Sequence, residues 1–106
     1  MKSNKIKKFQ QISKLTRIYS LISIYFAKSG HPGGSLSVVD ILNYIFLKHL
    51  KIKSLNDFRK INRNRFILSK GHAVPALYSL LAANKILKFN EILGLRKIDS
   101  VFQGHP

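Results

Sequence analysis

A single segment of this chain predicts a buried β-strand, and this limits the fold more than any other feature. Residues 65–69, Arg-Phe-Ile-Leu-Ser, form a short and mostly apolar run behind a turn signal, which is typical of a strand in a sheet core. A buried parallel strand needs neighbouring strands on both sides, yet the rest of the sequence favours helices. The pattern therefore predicts the opening part of an α/β domain, a parallel sheet flanked by helices, that is incomplete within residues 1–106.

Hydrophobic periodicity predicts four helices, over residues 5–28, 37–50, 73–84 and 89–97. The first should pack one apolar stripe on the core, formed by Ile12, Leu15, Tyr19, Ile22 and Phe26. For the second, the spacing of Ser37 and Asp40 predicts a capping box, and the expected buried face is Val38, Ile41, Leu42, Ile45 and Phe46. Between these two helices, three glycines and a proline predict a loop over residues 29–35.

The chain is strongly basic, with 19 Lys+Arg against 4 Asp+Glu and a formal net charge of +15. Such a field favours polyanions, either RNA or phosphorylated small molecules, although no RNA-binding motif accompanies it and the lysines could simply solvate the surface. The absence of cysteine excludes disulfides, zinc fingers and thiol nucleophiles. No apolar run has the length of a membrane span, and no secretory signal is recognisable, so we expect a cytoplasmic protein without a membrane partner.

Three of the four histidines directly follow a glycine, in the pairs Gly30-His31, Gly71-His72 and Gly104-His105. Chance predicts roughly 0.2 such pairs in a chain of this composition. Glycine lets the backbone turn sharply and approach a ligand closely, whereas histidine supplies a donor, an acceptor and a proton near neutral pH. We therefore predict one polar site built from three loops. The fourth histidine, His49, is expected on the surface near the end of the second helix.

The pair Gly71-His72 lies between the predicted strand and the third helix. Ligands of open α/β sheets bind beyond the carboxyl ends of strands, and a helix N-terminus presents N–H groups to an anion. Because Lys70 and His72 flank this position, a phosphate or diphosphate is the expected ligand. The spacing is not that of a Walker P-loop, and the distant histidines do not favour a zinc site.

Together these motifs resemble the transketolases, which use thiamine diphosphate, and most closely the type made as separate N- and C-terminal subunits. The matching stretches stand at residues 29–37, 40–42, 65–73, 75–78 and 103–106. The resemblance implies transfer of a two-carbon ketol unit between sugar phosphates in the pentose phosphate pathway, with thiamine diphosphate and Mg²⁺ as cofactors. Dihydroxyacetone synthase, a related enzyme, is not excluded by these motifs.

The resemblance also implies a role for each Gly-His pair. His72, with Gly71, is expected to contact the diphosphate of the cofactor. His31 is expected to face the substrate and to assist proton transfers. His105, preceded by Gly104, is expected near the donor hydroxyls and the reactive thiazolium. Loop support or weak phosphate contacts are expected from Ser35, Ser69 and Lys70.

The family's Gly-Asp-Gly…Asn motif, which holds the magnesium, has no counterpart in residues 1–106. Neither has the glutamate that activates the aminopyrimidine. We therefore expect residues 1–106 to be the N-terminal part of a thiamine-diphosphate-binding domain, truncated before the magnesium motif. Alone it should be inactive, and it should act with a C-terminal transketolase portion or subunit in a homo- or hetero-oligomer. The alternatives are a non-catalytic remnant that binds RNA or protein through its basic charge, and a piece that completes another protein's sheet.

Overall fold

The computed structural model describes residues 3–28 and 32–93. They contain four α-helices, α1 (Ser3–Ala27), α2 (Pro32–Ile45), α3 (Val74–Ala83) and α4 (Phe89–Ile92). A π-helical turn, Phe46–Leu50, extends α2, and 3₁₀ turns lie at Leu55–Arg59 and Gly71–Ala73. Outside the described residues lie His31, Gly104, His105 and residues 94–97 of the fourth predicted helix. None of the four helices is long and apolar enough to cross a membrane.

The predicted helices are confirmed in the described part of the chain, with changes at their boundaries. Helix α1 covers nearly the whole of its predicted range. Helix α3 begins at Val74, and Pro75 stands in its first turn, where the missing N–H of proline has no helical partner to lose. The 3₁₀ turn Gly71–Ala73 leads directly into α3, so this helix is anchored at the second Gly-His pair.

The strand predicted over residues 65–69 is wrong for this structure. Residues 3–28 and 32–93 contain no β-strand, and the predicted segment runs irregularly between two 3₁₀ turns. Phe66 and Leu68 pack against the core, whereas Ile67 between them is 85% exposed, which is the alternation that a strand would have. A strand also needs hydrogen bonds to a neighbouring strand, and the described residues supply none. The parallel sheet of the predicted fold is therefore absent from this part of the chain.

Helix α1 buries a line of small hydroxyl side chains most completely, while its predicted apolar stripe is half-buried at Ile12, Leu15, Tyr19 and Ile22. The most buried positions are Ser13, Thr16, Ser20, Ser23 and Ile24, and Phe26 of the stripe is 53% exposed. Thr16 Oγ1 donates to the carbonyl of Ile12 at 2.7 Å, and Ser20 Oγ donates to that of Thr16 at 2.8 Å. These hydroxyls are thus satisfied within the helix. Their small volume allows α1 to lie close to α2 and α3, both of which it contacts.

Helix α2 begins within the predicted loop of residues 29–35, at Pro32. Proline suits the first position of a helix because its φ angle is already helical and its missing N–H is not needed there. The capping box predicted at Ser37 and Asp40 is wrong, since Ser37 lies inside the helix and its Oγ donates to the Gly34 carbonyl at 3.2 Å. The start of α2 therefore directly follows the first Gly-His pair.

The core lies where α2, its π-helical extension and α3 meet. Its buried members are Val39, Leu42, Phe46, Leu50, Ile52, Ala76, Leu80 and Ile86. Of the face predicted for α2, Leu42 and Phe46 are buried, but Ile41 is 61% exposed and Val39 takes its place. Burial of each large aliphatic side chain stabilises the fold by about 1.5–3 kcal/mol. This core supports the residues that follow the second Gly-His pair.

Polar and aromatic contacts fix α1 against its neighbours. Asn43 Nδ2, on α2, donates to the Phe9 carbonyl at 3.0 Å and to Ser13 Oγ at 2.9 Å. At the other end of α1, the Tyr19 ring stacks on Phe89 of α4 with centroids 4.2 Å apart. Because a buried amide without partners is costly, the Asn43 contacts specify how α1 and α2 pair.

Candidate functional site

The second Gly-His pair lies on an exposed turn with a buried base. The His72 side chain is exposed and Gly71 is half-buried. Residues 73–76, immediately after the pair, are all buried, and the turn Gly71–Ala73 contacts α2. His72 is therefore an exposed residue on a turn whose following residues are buried, which suits contact with a ligand.

Three backbone N–H groups of this turn donate hydrogen bonds to carbonyls of residues 69–71. The Gly71 N–H donates to the Ser69 carbonyl at 3.0 Å, and the Ala73 N–H donates to that of Lys70 at 2.9 Å. The Val74 N–H donates to the Gly71 carbonyl. The sequence predicts an open helix N-terminus here, but these three N–H groups are satisfied, that of Gly71 by a γ-turn hydrogen bond and those of Ala73 and Val74 by 3₁₀ hydrogen bonds. An anion at this position would therefore be met mainly by side chains.

Lys70 joins the second Gly-His loop to α2. Its Nζ donates a hydrogen bond to Ser37 Oγ at 3.0 Å, and both side chains are exposed. Ser37 lies in the second turn of α2, the helix that starts directly after His31. The structure thus brings the Lys70–His72 segment beside α2. The prediction of one site from three loops places these segments near each other, but not this particular contact between side chains 33 positions apart.

A buried hydroxyl lies in the first turn of α2. Ser35 is completely buried, and its Oγ has no hydrogen-bond partner among the described residues. Ser79, on α3, is also completely buried, and its Oγ has no hydrogen-bond partner among the described residues. A buried hydroxyl without a partner costs roughly 1–3 kcal/mol. These two atoms mark polar positions in α2 and α3 whose partners the described part of the chain does not supply.

The ion pair between Arg17 of α1 and Asp40 of α2 joins the two helices. Arg17 holds the Asp40 carboxylate with two hydrogen bonds, of 3.2 and 3.1 Å. These hydrogen bonds place the pKa of Asp40 below its usual value, so this carboxylate stays ionised and is a poor proton carrier near neutral pH. Within residues 3–28 and 32–93, no three His, Asp or Glu side chains are grouped closely enough to hold a metal ion.

A cleft on the α1 and α2 surface does not coincide with the Gly-His loop. It measures about 540 Å³ and is lined by Ile6, Phe9, Gln10, Ser13, Lys14, Arg17 and Asp40. Lys70 and His72 are not among its lining residues. The remaining histidine, His49, is exposed in the π-helical turn as predicted, and its ring lies 6.0 Å from that of Tyr44. Of the predicted catalytic and cofactor-binding residues, Gly71 and His72 fall in the described part. Ser69 and Lys70, predicted as loop support or weak phosphate contacts, adjoin them, whereas Ser35 is buried in α2.

Comparison with known proteins identifies the family. Residues 8–106 match the family model described as "Transketolase, thiamine diphosphate binding domain". The chain belongs to the transketolase family. This match covers the whole region in which the sequence motifs resemble transketolases. The domain of that family is α/β, which supports the predicted fold class. The described residues here are helical, so the sheet itself is not seen in them.

The similar proteins include both long transketolases and one component of a divided enzyme. The chain is 38% identical to transketolase of Mus musculus over 102 residues, which is 96% of this chain and 16% of the mouse protein. It is 36% identical over 98 residues to transketolase of Buchnera aphidicola subsp. Schizaphis graminum, covering 92% of this chain and 15% of that protein. It is also 34% identical over 83 residues to an apulose-4-phosphate transketolase subunit of Phocaeicola vulgatus, covering 78% of this chain and 29% of the relative. The chain therefore spans about one sixth of the length of the mouse relative.

Proposed function

We propose that this chain supplies part of the thiamine-diphosphate site of a transketolase that moves a two-carbon ketol unit between sugar phosphates. The observation that carries the proposal is the exposed His72 on its supported turn, beside Lys70, in a member of the transketolase family. The remaining parts of the site would come from a C-terminal transketolase portion or subunit, in a homo- or hetero-oligomer. The Phocaeicola vulgatus relative is named as one subunit of its enzyme, which supports an arrangement of separate subunits.

The donors on the Lys70–His72 segment fit an anionic diphosphate. Lys70 carries a full positive charge, and the imidazole of His72 can donate a hydrogen bond. The hydroxyl of Ser37, held by Lys70 at 3.0 Å, adds a further polar group beside them. Hydrogen bonds between charged partners are shorter and stronger than neutral ones. We therefore propose that His72 and Lys70 hold the diphosphate and that Gly71, which has no side chain, leaves space for it.

The other Gly-His pairs would act on the sugar. When bound, thiamine diphosphate supplies the electron sink for breaking and forming the carbon–carbon bond. His31 would face the substrate and exchange protons with its oxygens, which suits an imidazole near neutral pH. His105, with Gly104 before it, would lie near the donor hydroxyls and the reactive ring of the cofactor. We further propose a cytoplasmic location and Mg²⁺ as a second cofactor, with ligands from outside residues 1–106.

A hybrid enzyme tests this function. The matching residues of mouse transketolase are replaced by this chain, and ketol transfer is measured with and without thiamine diphosphate and Mg²⁺. We expect cofactor-dependent transfer by the hybrid and none by the 106-residue chain alone. A hybrid that is soluble and assembled like the mouse enzyme, yet inactive at saturating cofactor, would contradict the proposal. Activity of the chain alone would refute the requirement for a partner.

A further inference from the structure

Residues 48–65 form a basic segment on the surface between α2 and α3. It contains seven of the 19 cationic side chains of the protein, namely Lys48, Lys51, Lys53, Arg59, Lys60, Arg63 and Arg65. All are exposed except Arg63, which is half-buried. The basic segment contains one acidic residue, Asp57. A density of charge this high creates a local field that attracts polyanions.

The charge of Asp57 is largely offset by its own neighbours. Its Oδ2 accepts hydrogen bonds from the backbone N–H groups of Lys53 at 2.7 Å and Ser54 at 3.2 Å. Its Oδ1 pairs with Lys60 Nζ at 2.9 Å. The carboxylate therefore organises the 3₁₀ turn Leu55–Arg59 and is paired with one cation of the basic segment, Lys60. Three exposed cations of the basic segment, Lys48, Lys53 and Arg59, have no part in that arrangement through their side chains.

Hydrogen bonds give the basic segment a defined shape. Asn64 Nδ2 donates to the His49 carbonyl, which joins the end of the basic segment to the π-helical turn. Arg63 Nε donates to the Phe58 carbonyl at 2.9 Å, and Arg65 donates to the Ile61 carbonyl at 3.1 Å. Each guanidinium has five N–H donors, so both retain donors for a phosphate. The cations are thus presented on one folded unit.

Aromatic rings accompany these cations. Tyr44 is 51% exposed, and its ring lies 6.0 Å from the exposed His49 at an interplanar angle of 65°. Lys48 follows Tyr44 by one helical turn, and so lies on the same side of the helix. Single-stranded nucleic acids bind where a positive surface follows the backbone and aromatic side chains stack on bases. Both elements occur together here.

We propose that the basic segment, with the Tyr44–His49 pair, binds single-stranded nucleic acid. Phosphates would contact the lysines and arginines, and a base would stack on Tyr44. A lipid surface fits less well, because the basic segment carries isolated exposed apolar side chains, Leu55 and Ile61, rather than the continuous apolar face of a membrane-surface helix. The proposal does not rest on ketol transfer, since Gly71 and His72 lie outside the basic segment.

Fluorescence anisotropy of the 106-residue chain tests the charge contribution. The probes are labelled oligouridylate RNA and oligothymidylate DNA of about 12 nucleotides, titrated at several NaCl concentrations. The variant K48Q/K53Q/R59Q is compared with K5Q/K7Q/K8Q, which changes three exposed lysines of α1 and has the same net charge. We expect the first variant to bind about tenfold more weakly, with a salt slope smaller by about two, because three phosphate contacts are lost. The control should bind within about threefold of the unchanged chain.

Stacking is tested with Tyr44→Ala against Tyr25→Ala, since Tyr25 is 75% exposed on α1. Tyr44→Ala should weaken binding about tenfold, and Tyr25→Ala should not. Equal RNA and DNA binding would support phosphates and bases as the shared ligand, and tighter RNA binding would support RNA as the natural source. The proposal is overturned if neither oligonucleotide binds, or if the two triple variants lose affinity equally. Binding to phosphatidylserine vesicles is measured in parallel. The proposal is also overturned if K48Q/K53Q/R59Q loses binding to the vesicles but keeps its binding to both oligonucleotides.

Discussion

Lys70 Nζ donates a hydrogen bond to Ser37 Oγ at 3.0 Å and thereby joins the second Gly-His loop to α2. Lys70 immediately precedes Gly71, and α2 begins immediately after His31. Segments that adjoin two of the three Gly-His pairs are consequently neighbours in space, although they are distant in sequence. This contact is the geometric basis for treating the first two pairs as parts of one site.

Gly33 tests whether α2 truly begins at Pro32. It lies exposed in the first turn, and a Cβ atom added there would meet nothing within 4 Å. We expect Gly33→Ala to raise the free energy of unfolding by about 0.5 kcal/mol, because alanine loses less conformational entropy in a helix than glycine. Urea unfolding followed by circular dichroism measures this change. A clear loss of stability would indicate that residue 33 is not helical.

Asn43 should be the polar residue whose loss most weakens the contact between α1 and α2. Its amide donates to the Phe9 carbonyl and to Ser13 Oγ in a buried setting. Asn43→Ala should lower the free energy of unfolding by about 1–3 kcal/mol, because both acceptors lose their partner. Asn4→Ala, at an exposed position in the same pair of helices, should change it by less than about 0.5 kcal/mol. Similar effects of the two substitutions would show that the buried amide has no special role.

Substitution of Ser20 tests how closely α1 approaches its neighbouring helices. It is completely buried, and its hydroxyl already donates to the Thr16 carbonyl. Ser20→Leu should destabilise the chain by about 1–3 kcal/mol, because a larger side chain has no space at this contact. Lys14→Leu, an exposed position on the same helix, provides the control in thermal or urea unfolding. If Ser20→Leu were as stable as the control, the serine face of α1 would not be packed as described.

Helix positions could be predicted from the sequence, but the most deeply buried face of α1 could not. The existence of α1 and α3 follows from local periodicity and from the tolerance of Pro75 in a first turn. The orientation of α1 depends instead on how closely its neighbours approach. Thr16 and Ser20 satisfy their hydroxyls within the helix, so they can be buried like small apolar residues. A pattern that counts only apolar side chains assigns such positions to the solvent.

Neither the loss of the predicted strand nor the Lys70–Ser37 contact could be predicted from the local sequence pattern. Phe66 and Leu68 have the alternation of a strand, but strand formation requires a partner from elsewhere in the fold. Histidine on a glycine loop could be predicted at His72 because loop chemistry is local. The Lys70–Ser37 contact could not, because it depends on how α2 and α3 pack. The roles of His31 and His105 remain predictions, since both lie outside the described residues.

Acid sensitivity should report on the Arg17–Asp40 pair. Hydrogen bonds from Arg17 lower the pKa of Asp40 below its ordinary value of 3.8. The resulting stabilisation is complete above the ordinary value and is lost as the pH falls through the lowered value. Asp40→Asn should therefore make the free energy of unfolding fall less steeply below about pH 4. The change should be small because the Asp40 side chain is 60% exposed. Identical acid dependence in both proteins would show that the pair contributes nothing.

The affinity of the hybrid enzyme for thiamine diphosphate tests the central claim most directly. Isothermal titration calorimetry compares the unchanged hybrid with His72→Ala and with His49→Ala, which removes another exposed histidine, in the π-helical turn. We predict that His72→Ala weakens cofactor binding about tenfold or more, because a hydrogen bond to a charged group is lost. His49→Ala should bind like the unchanged hybrid. Undiminished cofactor affinity in the His72→Ala hybrid would contradict the assignment of this turn to the diphosphate.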